Sequence, residues 1–332
     1  MEILASDLPS PFGCSPLRRK NSFRRTTTMD VLWPEGRYGK LELIGNGRDI
    51  FTADTALPPV VLDKARLNAI ITDDKKIDAI SSDPRCSALS SLRGMSAVGG
   101  FRKAFRPLLD KDKLASPLEL LLDDVVGGTV VSDWAWSTRP NSITRNEKLE
   151  RQARLNDMAG VCTGFRVGSS ALHADGEFQY ERCTVVPALL HPDDAVGWHE
   201  LLQFDEVNLR RSRCMDVWLD RVIVVEAVFQ DSALQLDGRR VAVHEYSLRA
   251  EVNPKSFTLQ ELLITPHVLP YPECPSAVSF THSLIGMALP ELKASVHSLL
   301  GRERGCTHLN DMLRSLSDLP EIICSLSSQF ES

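Results

Sequence analysis

The chain has 332 residues, 43% of them hydrophobic and 25% charged, with a formal net charge of −6. This is the balance of a globular protein long enough for two cores. The acidic sign argues against a general nucleic-acid binder, and no apolar run approaches the roughly 20 residues of a membrane span. Met1-Glu2-Ile3-Leu4 lacks the basic start and apolar stretch of a secretory signal. The eight cysteines are too scattered for a disulfide scaffold. A reduced, cytoplasmic protein is expected, with most cysteines buried as small hydrophobes.

In chain order, residues 1–23 are rich in Ser, Pro and basic residues without an apolar period, and read as a flexible tail with a solvated cluster at Arg18-Arg19-Lys20. From Thr26 the pattern becomes strands. Met29 to Trp33 and Lys40 to Ile44 flank a Pro34-Glu35-Gly36 turn, and Ala65 to Ile71 and Lys76 to Ile80 flank the turn Asp73-Asp74-Lys75. Helical patterns follow over Ala88–Leu92, Phe101–Leu109 and Pro117–Val125, the last opening on a proline whose missing N–H suits a first helical position. Residues 130–136 read as a strand, 146–156 as a charged helix, and Gly160 to Ser170 as a Gly-rich loop without phosphate-loop spacing. His191 to Asp194 reads as a turn and helix start, anchored by Trp198.

The second half echoes the first. Arg210-Arg211-Ser212-Arg213-Cys214-Met215-Asp216-Val217 repeats Arg24-Arg25-Thr26-Thr27-Thr28-Met29-Asp30-Val31. A hairpin with its turn at Asn253-Pro254-Lys255 follows, Leu284-Ile285-Gly286-Met287 answers Leu92-Arg93-Gly94-Met95, and His308 to Leu313 falls beside Pro117 to Leu122. Matches in one order at nearly one offset point to internal duplication. The expected fold is α+β: two tandem copies of a small antiparallel sheet with helices packed on one face. The copies are residues 24–126 and 210–332, separated by an irregular insert over 127–209.

The copies differ in their reactive residues. Cys306 and His308 stand where the first copy has Ala115 and Pro117, His244 stands near the position of Asp63, and Cys274 has no secure counterpart. Hairpin register about the 253–256 turn sets His244 opposite Thr265, with Cys274 shortly beyond that strand. Docking of the Gly305-Cys306-Thr307-His308 turn would complete a set of His244, Cys274, Cys306 and His308, a ligand inventory that suits zinc or iron. This makes a metal-binding second copy the leading expectation, with a degenerate first copy supporting it and a small molecule as substrate if the protein is an enzyme. The spacing is not that of a zinc finger. Two alternatives stand beside it. In one, Cys306 is a nucleophile at a helix N-terminus capped by Thr307, with His308 or His244 as base. In the other, the Cys and His residues are structural and the protein is a scaffold or interaction module. Asp30 and Asp216, each preceded by an Arg pair, read as structural ion pairs.

The segment from the Arg pair through Pro270-Tyr271-Pro272-Glu273-Cys274-Pro275 to Gly305-Cys306-Thr307-His308-Leu309 resembles the bacterial family called domain of unknown function 2889. The resemblance covers about residues 210–320, with Arg24 to Asp54 similar to its longer members. It implies a bacterial cytoplasmic protein and no assigned function. The order of strand ligand, loop cysteine and late helix cysteine is also similar to NifU-type iron–sulfur scaffolds. His244, Cys274 and Cys306 would take those places, although His244 departs from the cysteine those proteins carry.

Overall fold

The computed structural model describes residues 8–138, 153, 155–172 and 182–329. The first strands are β1 (Ser22–Leu32), β2 (Leu41–Thr52), β3 (Val60–Ile71) and β4 (Ile77–Asp83). After the short β5 (Thr184–Val186) come β6 (Leu209–Leu219), β7 (Ile223–Leu234), β8 (Arg240–Val252) and β9 (Leu259–Val268). Among the described residues they make one nine-stranded antiparallel sheet in the order β4-β3-β2-β1-β6-β7-β8, with β5 and β9 both pairing along the far side of β8. The class is therefore α+β. Each half is a four-strand meander, and the halves meet at β1 and β6.

That central pairing explains the repeated Arg and Asp residues. The register sets Arg24 opposite Asp216 and Asp30 opposite Arg210. Arg24 Nε and Nη2 donate to Asp216 at 2.6 and 2.7 Å, and Arg210 Nε and Nη2 donate to Asp30 at 2.7 and 3.2 Å. Two-point forks of this kind fix register as well as charge. The Asp residues are structural, as expected, but each pairs across the seam with the other half. On this face His199 packs between Thr26 Oγ1 and Thr28 Oγ1, at 2.9 Å from each.

Helices cover the opposite face: α1 (Phe101–Phe105), α2 (Pro117–Val131), α3 (Trp134–Ser137), α4 (Leu292–Leu299), α5 (Thr307–Arg314) and α6 (Leu319–Ser328). Ser116 caps α2 by accepting from the Glu119 amide, while the Glu119 carboxylate accepts from the Ala115 amide at 2.6 Å, a capping box reaching one residue further back than usual. α2 lies over β1, β2 and β3 with Leu118, Leu121, Leu122 and Val125 buried, and a second apolar cluster forms under α4, α5 and α6.

Several local expectations are corrected. Residues 130–136 are not a strand: they end α2 and form α3, since the apolar run continues the buried face of α2. Thr265 pairs with Ser247 rather than His244, because the β8–β9 turn is longer than expected, with Asn253 and Thr258 still hydrogen-bonded across it, and the ladder is bulged. Arg18, expected in a solvated cluster, is 9% exposed and donates through Nε to Asp194 at 2.9 Å. The charged helix expected over 146–156 lies largely outside the described residues. No helix among the described residues is long and apolar enough to cross a membrane.

Candidate metal centre

The site forms where the helix face of β7 and β8 meets the N-terminus of α5. β7 is apolar on this face except for Asp231, which is 0% exposed. Its register partner on β8 is His244, while Ser232 pairs with Ala242, so Val243 is an extra residue. A bulge at this point re-aims the neighbouring side chain, here His244 toward Asp231.

The third residue arrives through a tight turn. An added Cβ at Gly305 would lie 1.9 Å from the Leu300 carbonyl oxygen, so only glycine allows this approach. Asn310 Nδ2 donates to the same carbonyl at 2.7 Å, and the Asn310 amide donates to Cys306 at 2.8 Å to start the helix. Cys306, not Thr307, is therefore the residue before the first turn, and Thr307 is already helical. The Gly-rich loop braces the turn from outside: the Thr163 amide donates to Gly305 at 2.9 Å.

The two imidazoles stack with centroids 3.5 Å apart and planes at 17°. His244 Nδ1 and His308 Nε2 each lie 3.5 Å from Asp231 Oδ2, and all three donor atoms fall within 4.8 Å of one another. His244 Nδ1 is buried and makes no well-aligned hydrogen bond. On its other side His308 presents Nδ1 to Cys306 Sγ at 3.7 Å. Cys306 and Cys274 stand outside the three-donor group but line the same cavity of about 410 Å³ as His244 and His308. The four residues singled out in the sequence thus share one cavity. Asp231 was missed. The available signal was a lone carboxylate on an apolar strand face, preceding the histidine strand by one hairpin.

A buried ion network surrounds the group. Arg211 grips Asp231 through Nε and Nη2 at 2.9 and 3.1 Å, and its Nη1 reaches Asp124 at 3.3 Å and Asp311 at 3.0 Å. Arg213 also binds Asp124, while Arg102 and Arg314 bind Asp123 and Asp311. Four arginines thus balance four aspartates. Burial alone would raise the Asp231 carboxyl, but the Arg211 fork outweighs it and holds Asp231 far below the usual carboxylate range. Burial, then His244 and Arg211, push His308 well below its ordinary value despite Asp231, so it is neutral at physiological pH. Burial raises the Cys306 thiol, and burial with the neighbouring Cys306 and Cys162 thiols raises Cys274 well above its usual value.

Residues 209–320 match the family model described as a protein of unknown function (DUF2889). The match bears out the resemblance read from the cysteine and histidine motifs and contains Asp231, His244, Cys274, Cys306 and His308. Neither a curated protein nor a solved structure matches the chain.

Proposed function

We propose that the segment matching this family of unknown function binds one divalent metal ion, with Asp231, His244 and His308 as protein ligands, and acts on a small molecule in the adjoining cavity. The observation that carries this reading is the convergence of two neutral-capable imidazoles and one ionised carboxylate on one buried point. Imidazole and carboxylate donors suit zinc, with ferrous iron as the alternative; one of the two stacked rings must turn for both lone pairs to meet the ion. With three protein ligands the fourth position is open, as in catalytic zinc sites. Cys306 is placed to accept from the Nδ1–H of His308, orienting the ring as outer partners of metal-binding histidines do. It also lines the cavity, as Cys274 does. Because the arginines and aspartates already balance, an added dication favours ionisation of a bound water or of the Cys306 thiol, the chemistry of a metal-activated nucleophile.

Elemental analysis of protein purified without a metal-affinity tag tests this. Near one zinc per chain is expected, with His244→Gln and His308→Gln each weakening binding on the order of 100-fold, at least what losing an outer partner of a ligand costs. Folded wild-type protein that takes up no zinc or iron on reconstitution would sink the proposal.

A second reading has one supporting observation: Cys306 Sγ, His308 and Asp231 lie in a row, spaced 3.7 and 3.5 Å, in the order of a nucleophile–base–orienter triad. The buried, upward-shifted thiol weighs against it.

We further propose that the two halves arose by duplication, residues 24–126 and 210–332 being the copies. The reciprocal Arg24–Asp216 and Arg210–Asp30 pairs support this. So does the match of Arg25 with Asp49 and Asp318 to Arg211 with Asp231 and Asp124. In the first half Asp63 pairs with Asp49 as His244 pairs with Asp231, leaving a supporting copy without imidazoles. Among the described residues no two cysteines are joined by a disulfide, which fits a reducing, cytoplasmic setting.

A further inference from the structure

We infer that the cavity beside the metal centre selects an uncharged, flat, largely apolar molecule about two fused rings in size, presenting one oxygen to the His244–His308 end. The direction of that oxygen rests on the metal reading above; the size and charge preferences come from the walls alone. An apolar cavity of about 150 Å³ accommodates benzene, and this one encloses about 410 Å³. Its body is lined by Val126, Trp134, Met158, Phe165, Val243 and Tyr271, drawn from four separate stretches of the chain. The sulfur-bearing residues Met158, Cys162, Cys274 and Cys306 also line it, and polarisable sulfur beside aromatic side chains suits a π-system. The mouth is marked by Val130 and Val161, 44% and 43% exposed.

Charge sets the second preference. Among the described residues the only cationic side chains lining the cavity are Arg102 and Arg211. Arg102 already holds Asp123 at 2.9 Å and Asp311 at 2.6 Å, and Arg211 holds Asp231, Asp124 and Asp311. Against these walls a carboxylate or phosphate would lose its hydration without gaining a free cation other than a bound metal ion, and would meet Asp133 and Asp311. An ammonium group would find Asp311 already taken by Arg102, Arg211 and Arg314, and Asp133 exposed to water, where an ion pair adds little. A neutral ligand avoids both costs.

The test is calorimetric titration of the full chain, metal-loaded and chelator-stripped, with 2-naphthol, 2-naphthoate and phenol, and with metal content measured on the same samples. Tighter binding of 2-naphthol than of 2-naphthoate by about 30-fold is expected in the chelator-stripped form, where the walls alone act, and than of phenol by about 10-fold in both forms. Val161→Trp, a change at the partly exposed mouth, should abolish 2-naphthol binding while leaving the urea midpoint unchanged. Equal or tighter binding of 2-naphthoate by the chelator-stripped protein, or full binding by a folded Val161→Trp protein, overturns the inference. Protein that takes up neither zinc nor iron on reconstitution yet keeps the naphthol preference overturns only the metal reading.

Discussion

Gly127 offers the sharpest test of how the ion network is held. It lies buried in α2, and a Cβ built there would fall 1.6 Å from Arg211 Nη1, 2.3 Å from its Cζ and 2.6 Å from Nη2. The guanidinium has nowhere easy to go. Its other face lies over the Phe229 ring at 4.9 Å, and Asp231 grips it at two points. Gly127→Ala must therefore displace Nη1 from Asp124 and Asp311. Two hydrogen bonds between charged groups, at about 1.5–3 kcal/mol each, set the loss at roughly 3–6 kcal/mol. The helix gains about 1 kcal/mol from alanine, leaving a net destabilisation of about 2–5 kcal/mol. The neighbouring Gly128 is the control. Its added Cβ would meet Met29 Cγ and Val31 Cγ2 at 3.4 and 3.5 Å, ordinary contact, so Gly128→Ala should stabilise by up to about 1 kcal/mol. Urea unfolding followed by tryptophan fluorescence measures both variants. If Gly127→Ala is as stable as Gly128→Ala, the guanidinium is free to move and the account of Asp231 as a rigidly held ligand fails.

Two further outcomes follow from burial. His199 is pushed down to about 3 by burial, then by Arg48 and Arg210, from an ordinary 6.5. The folded value lies below the unfolded one, so its stabilisation is fully present above pH 6.5 and is lost as pH falls toward 3. Relative to His199→Asn, wild-type protein should lose about 2 kcal/mol between pH 7 and pH 5; parallel stability curves would contradict the assigned burial. The exposed Cys183 and Cys324 should react with a thiol reagent at neutral pH before the buried, upward-shifted Cys306 and Cys274. The difference should be on the order of 100-fold, because the buried thiols react only on local opening. Mass spectrometry of the modified peptides reads this, and early modification of Cys306 would instead favour the nucleophile reading.

The sequence by itself determined the local elements that rest on periodicity and turn chemistry: the hairpins around Asp73-Asp74-Lys75 and Asn253-Pro254-Lys255, and α2 behind its proline. It also determined the cluster of reactive residues, because Cys274, Cys306, His308 and His244 stand out by chemical type against a second stretch that lacks them. Residues 130–136 misled because a fully buried helix end and a buried strand are both continuous apolar runs. Only tertiary structure decided which donors converge. Asp231 looked like any strand carboxylate until a one-residue bulge at Val243 set His244 against it, and pairing register depends on turn length and bulges that composition does not encode. The same holds for the Arg–Asp pairs. Their residue types were visible, but the exchange of partners across the β1–β6 seam follows from two halves packing antiparallel, a contact between residues 180 and 192 positions apart in the chain.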